Sequence, residues 1–265
     1  MHRTSAAALT VLLTLTCAAA AATPSPIPTV LLLWDTQGPP TTALVNTLTD
    51  SGLRVVLSET NESGWDGTNP SLDGIDVVVH LNGTTWNTEM PKPGQKALVQ
   101  FVRDGGGYVH HEWNSYQISV GQMLAMREII LFDRTSGYAG AITISRYDTQ
   151  GVHPVTWEVP PTFTMNGSCN IGKVHVFSDN PVTVLARDQN GNDAVAIREI
   201  GLGRIVGFHH GGNWQWTGEK LLDNQDARRL FVDGVKWAHG CASYYRKGQR
   251  DAVCDKIVLR RGTGR

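Results

Sequence analysis

The chain has 265 residues, 41% hydrophobic and 18% charged, with a formal net charge of −1. That length supports one large domain or two small ones, and the composition excludes an intrinsically disordered chain. The near-zero charge offers no electrostatic footprint for nucleic acid or for an acidic membrane surface, so neither is expected as a partner.

Residues 1–22 read as an export signal. Met1-His2-Arg3 is a short basic start, residues 6–15 are an apolar run too short for a bilayer span, and Ala20-Ala21-Ala22 gives a small-residue cleavage pattern. The mature chain is therefore expected to be secreted or periplasmic and free of the membrane. A Pro-rich linker follows at 23–28, then a single α/β domain at 29–240 and a tail at 241–265.

Within the domain, residues 29–35 are a continuous apolar run ending in Asp35, the pattern of a parallel strand buried on both faces. Residues 41–52 carry helical spacing at Leu44, Val45 and Leu48 with Gly52 as the stop. Residues 54–57 and 76–81 read as the next strands, 93–104 as a helix, Gly105-Gly106-Gly107 as its stop, and Tyr108-Val109-His110 as the fourth strand. Strands alternating with helices imply βαβ units and a mostly parallel, twisted sheet with flanking helices. Residues 122–132 are expected to be helical. Further on, 141–147, 173–177, 182–186, 194–200 and 204–208 read as strands forming antiparallel additions, and 226–239 as a closing helix.

After removal of the signal, Cys169, Cys241 and Cys254 remain. Cys241 and Cys254 flank a short polar stretch and are candidates for a disulfide closing the tail. Their spacing is not that of a structural zinc site. Asn61, Asn82 and Asn166 begin N-x-S/T sequons, which mark surface positions if the host glycosylates.

Ligands of open parallel sheets bind beyond the carboxyl ends of the strands, which makes the residues there the candidate site. Asp35 follows the first strand, His80 ends the third, His110-His111-Glu112-Trp113 ends the fourth, and His209-His210-Gly211-Gly212-Asn213-Trp214 ends a late one. Five of the nine histidines fall in these places. His111, Glu112 and His210 are the candidate catalytic set, with Asp35, His80, Trp113, His209, Asn213 and Trp214 as ligand-binding candidates. Two chemistries fit. Histidine and glutamate act as general acid and base on a sugar or ester, or neutral imidazoles with a carboxylate hold a divalent zinc, manganese or iron ion that activates water. Neighbouring residues of a regular strand face opposite ways, so His110 and His111 are not expected to share one site, nor are His209 and His210.

The stretches Gly105-Gly106-Gly107-Tyr108-Val109-His110-His111-Glu112, His153-Pro154-Val155-Thr156, Gly203-Arg204-Ile205-Val206 and Val235-Lys236-Trp237-Ala238-His239-Gly240, in that order, resemble the trehalose-utilisation (ThuA-like) family. The resemblance spans roughly residues 30–240. It implies a fold like that of class I glutamine amidotransferases, a flavodoxin-like sheet with flanking helices, and a link to sugar metabolism. The family's histidine at the end of the glycine-led strand matches His111 or Glu112. The amidotransferase nucleophile cysteine is absent, so glutamine hydrolysis is not expected. The resulting expectation is a secreted ThuA-like protein acting on or binding a carbohydrate-type ligand. The alternatives are a non-catalytic extracellular binding module, in which tryptophans stack on the ligand, and a metal-dependent hydrolase.

Overall fold

The computed structural model describes residues 27–147, 153–215 and 220–246. The leader 1–22, most of the Pro-rich linker, and the side chains of Cys169, Cys241 and Cys254 lie outside the described residues, so the export signal and the disulfide fall outside it too.

Among the described residues ten strands form one mixed sheet. Its first half builds as the apolar runs dictate: β1 (Thr29–Leu33), helix α1 (Pro39–Asp50), β2 (Arg54–Leu57), β3 (Val77–His80), helix α2 (Lys92–Arg103) and β4 (Gly107–His110). Every residue of β1, β3 and β4 is buried. Because side chains alternate along a strand, Val30 and Leu32 join one core with Leu44 and Leu48 of α1, while Leu31 and Leu33 join the other with Leu98, Phe101 and Val102 of α2. The chain then forms helix α3 (Glu112–Ser119), the long strands β5 (Phe132–Arg146) and β6 (Thr162–Val176), then β7 (Thr183–Asp188), β8 (Asp193–Ile200), β9 (Gly203–Phe208), β10 (His210–Gln215) and helix α4 (Gln225–Arg246). The strand order is β10-β6-β5-β7-β8-β9-β4-β3-β1-β2.

The α/β class agrees with the sequence, but the sheet is not mostly parallel. The pairs β1–β2, β1–β3, β3–β4 and β4–β9 are parallel, and the pairs from β9 through β8, β7, β5 and β6 to β10 are antiparallel. Residues 122–132 do not form a helix. Gly121 and Met123 adopt positive φ, one 3-10 turn covers Leu124–Met126, and the buried run Ile129-Ile130-Leu131 leads into β5. Among the described residues no helix is long and apolar enough to cross a membrane.

The glycine run before β4 does more than stop α2. A Cβ on Gly107 would lie 2.4 Å from the Ala238 carbonyl oxygen, so glycine lets α4 approach β4 at the backbone. Gly107→Ala is therefore expected to destabilise the protein by about 1–3 kcal/mol, through overpacking against backbone that cannot yield. Urea denaturation of wild type and variant checks this, and an unchanged midpoint would refute the close approach.

Candidate functional site

At the end of β1, Asp35 accepts the Thr36 N–H at 2.8 Å and the Thr84 N–H at 3.0 Å, one on each carboxylate oxygen. Thr84 Oγ1 in turn donates to the Asp35 carbonyl at 3.3 Å. The loops after β1 and β3 are thereby tied together. Between them lies a small crevice of about 10 Å³, room for about one water molecule, whose lining includes Asp35, Thr41, Leu44, Leu81, Asn82 and Gly211. It lies where the chain leaves β1 for β2 on one side and β3 on the other, the switch point at which open α/β sheets bind ligands. Asn82 is 2% exposed, and neither atom of its amide has a hydrogen-bond partner. β10 closes this place from above. Although it ends the strand order on the far side from β1, it touches α1 and α3. Gly212 sits at φ +61, and a Cβ there would come 3.0 Å from Leu81 Cδ2.

One strand over, His111 begins α3 as its N-cap residue, with extended backbone (φ −123, ψ 175) in place of a strained nucleophile elbow. Its backbone N–H donates to Asn114 Oδ1 at 3.0 Å. Its Nδ1 lies 3.2 Å from the His80 carbonyl, an acceptor, so Nδ1 carries the proton and Nε2 is left as a bare lone pair without a partner. The ring packs against Phe208, Phe231 and His210, with centroids 5.7, 5.9 and 5.7 Å away. Burial drives the His111 pKa down to about 4, with nearby His80 adding to the fall and the bond to its carbonyl opposing it. Burial and then His111 hold His210 well below the ordinary value, and its Nδ1 is unpartnered. Both rings are neutral at pH 7.

Glu112, the first residue of α3, is fully buried. Its Oε1 is engaged by Arg134 Nε of β5, and its Oε2 has no partner. β6 passes directly beside it, since a Cβ on Gly172 would fall 2.6 Å from Glu112 Cγ. Burial raises this carboxyl to about 7 against the opposing pull of Arg134, so near pH 7 it exists in both protonation states. Beside it lies an aromatic cluster. The Trp113 ring centroid is 5.2 Å from Tyr116 and 6.2 Å from Trp86, Arg134 stands 4.9 Å from the Tyr116 centroid, and Trp86 is 41% exposed.

The candidate residues thus divide. Asp35 lines the crevice, while His111, Glu112, Trp113 and His210 gather around the start of α3. His80 turns into the core, its ring nitrogens 2.7 Å from the Tyr108 hydroxyl and 3.1 Å from Glu62. His209 turns away as well, with Nε2 3.5 Å from Asp188 Oδ2. The side chains of Asn213 and Trp214 lie outside the described residues. The strand-parity expectation agrees with the geometry at His110, whose Nε2 accepts the Leu131 N–H at 3.0 Å on the opposite side from His111. Among the described residues no three His, Cys, Asp or Glu side chains are grouped to hold a metal ion. His111 and His210 together offer two imidazoles.

Asn82, Arg134 and Trp86 were not legible as site residues. Asn82 reads as a surface sequon, yet its amide is buried in the crevice. Arg134 reaches Glu112 only through a strand pairing far along the chain. Trp86 follows a strand end by several residues, and that position was the one available signal.

No family model and no curated protein sequence matches the chain. Solved structures do. A ThuA-like protein from Bacteroides uniformis superposes with a TM-score of 0.60 at 14% identity, covering 82% of this chain and 94% of that one. A ThuA-like protein from Parabacteroides merdae gives 0.57 at 16% identity, covering 82% and 91%. A β-galactosidase from Bacillus circulans sp. alkalophilus gives 0.52 at 12% identity, covering 84% of this chain and 31% of that one. The chain has a ThuA-like fold.

The buried histidines fix a pH dependence. Unfolded histidine titrates near 6.5, whereas His111 does so at about 4 and His110 at about 3. Between those values the unfolded chain binds more protons than the native one, so stability falls as pH drops. At about 1.4 kcal/mol per pH unit, His111 alone contributes a loss of roughly 3 kcal/mol by pH 4. Glu112 acts in the opposite sense, because its raised pKa gives stability that is lost as pH rises from about 4.5 through 7. Three histidines outweigh one carboxyl, so urea midpoints are expected to fall from pH 6.5 to 4.5, and less steeply in His111→Phe. A flat profile, or the same slope in the variant, would contradict this.

Proposed function

We propose that this is an exported protein that binds a carbohydrate-type ligand across the carboxyl ends of β1, β3 and β4 and exchanges a proton with it through Glu112. The observation that carries the reading is Glu112 itself: a buried carboxyl with one oxygen held by Arg134, the other free, and a pKa of about 7. A group poised near the working pH delivers a proton in one step and accepts one in another. Arg134 stabilises the carboxylate left after a proton is given up, which keeps the group from being trapped in its acid form. The neutral His111 Nε2 and His210 Nδ1 add acceptors for ligand hydroxyls.

The carbohydrate class is supported by the aromatic cluster of Trp86, Trp113 and Tyr116 next to Glu112, since sugar rings stack their C–H faces on such side chains. It agrees with the family resemblance of the sequence. The order β2-β1-β3-β4-β9 in the parallel half of the sheet supports a flavodoxin-like reading, with ligand binding at the β1/β3 switch point. A second reading, a binding module without turnover, is favoured by the extended backbone of His111, which lacks the strain of a nucleophile elbow.

The two readings separate on one variant. A panel of saccharides and glycosides is screened against the wild-type protein by calorimetry and by product analysis. Glu112→Gln keeps the shape of the side chain but removes the titrating group, and is expected to lower turnover at least 100-fold with the dissociation constant changed less than threefold. Trp86→Ala is expected to weaken binding about tenfold. Binding with no turnover by wild type leaves the module reading, and turnover unchanged in Glu112→Gln refutes the role of Glu112.

A further inference from the structure

We infer that Glu62 and Thr85 are positioning residues that hold Trp86 in place at the aromatic cluster, through a hydrogen-bonded chain running from Tyr108 to His80, Glu62 and Thr85. This rests on the reading of Trp86 as a ligand contact and names what sets that contact. Tyr108, His80 and Glu62 are fully buried. His80 Nε2 lies 3.1 Å from Glu62 Oε2, and His80 Nδ1 lies 2.7 Å from the Tyr108 hydroxyl. A carboxylate only accepts, so Nε2 carries the proton and Nδ1 accepts the Tyr108 O–H. The other Glu62 oxygen, Oε1, accepts the Thr85 O–H at 2.6 Å. Glu62 is thus engaged on one side by the end of β3 and on the other by the loop that follows it. Its own backbone is anchored as well, since its N–H donates to the Trp34 carbonyl just past β1 at 2.7 Å.

A buried carboxylate is a poor way to gain stability, because the cost of taking it out of water is repaid only by partners in good geometry. What it fixes here is position, since the loop must bring the Thr85 hydroxyl to one place to satisfy Oε1. Thr85 carries that constraint outward. It opens a turn closed by the Thr88 N–H donating to the Thr85 carbonyl at 2.8 Å, and Trp86 is the second residue of that turn. The far end of the turn is held by Gln117 of α3, whose Nε2 donates to the Thr88 carbonyl at 2.9 Å. The residue before it is held by Asp35, through the Thr84 N–H. Trp86 is 41% exposed, yet it stands between fixed neighbours with its ring 5.6 Å from Tyr116 and 6.2 Å from Trp113, centroid to centroid. A side chain ordered before the ligand arrives spares the entropy of ordering it on binding. Affinity at the cluster therefore depends on Thr85, acting through Trp86.

The test labels the protein with 5-fluorotryptophan and follows the Trp86 resonance by fluorine NMR, assigned with Trp86→Phe. Thr85→Val keeps the shape of the side chain and loses the hydroxyl. It is expected to move the Trp86 resonance toward its position in the urea-unfolded chain, while Thr85→Ser, which keeps the hydroxyl, leaves it in place. Thr85→Ala is expected to repeat the shift, and it keeps the inference falsifiable if the valine variant does not fold. Dissociation constants for the saccharide that wild type binds best in the panel above are measured on the same variants. Thr85→Val is expected to weaken binding about fivefold and Thr85→Ser less than about twofold. Thr85→Val combined with Trp86→Ala is expected to bind no more weakly than Trp86→Ala alone, because the two substitutions remove one contact. A Trp86 resonance unmoved in both Thr85→Val and Thr85→Ala overturns the inference, even where urea midpoints fall, and so does full additivity of the two substitutions. If wild type binds no saccharide, the carbohydrate reading falls, and the fluorine resonance still decides whether Thr85 holds Trp86.

Discussion

Everything at the candidate site follows from the burial of β1, β3 and β4 on both faces. A strand covered on both sides has no room for polar side chains along its length, so such groups collect at its ends or must be paired inside. Asp35, Asn82, His111 and Glu112 stand just past the ends of these strands. His80 and His110 are the last residues within them, and each pays for its place with specific partners: Glu62 and Tyr108 for the one, the Leu131 N–H for the other.

The antiparallel arm turns these strand ends into an enclosed place. β5 and β6 are fifteen-residue strands, and β6 carries Gly172 against Glu112 while β5 supplies Arg134. β10 then brings His210 to the side of His111 and Gly211 to the crevice. Enclosure explains the electrostatics. Removing water disfavours charge on every buried group, so the histidines stay neutral and the carboxyl stays near the point of half-protonation, with Arg134 alone pulling the other way. One environment thus yields neutral acceptors and a titrating acid side by side, a division of roles used in acid–base chemistry.

How far the sequence foretold this depended on where apolar residues carry the signal. β1, β3 and β4 are continuous apolar runs, and α1 and α2 have spaced apolar faces, so these elements were legible with their ends nearly in place. α3 was not. Its sequence, Glu112-Trp113-Asn114-Ser115-Tyr116-Gln117, buries polar residues, and its start is set by the bond from the His111 N–H to the Asn114 side chain. Nor was β10, whose two glycines give no strand pattern. The places of Asp35, His111, Glu112 and His210 just after strands were legible in the sequence. Arg134 and Asn82 were not, because the first depends on a long-range pairing and the second was disguised as a surface sequon.

Proton exchange at this site depends on Glu112 titrating near neutrality with one oxygen unpartnered. Carbon-13 NMR of protein labelled at glutamate carboxyls, with Glu112→Gln used to assign the resonance, measures that titration directly. A midpoint close to 7 is the result predicted. A midpoint at or below 4.5, the range of an ordinary glutamate, would mean that Arg134 holds the group permanently ionised, and would contradict its role in proton transfer.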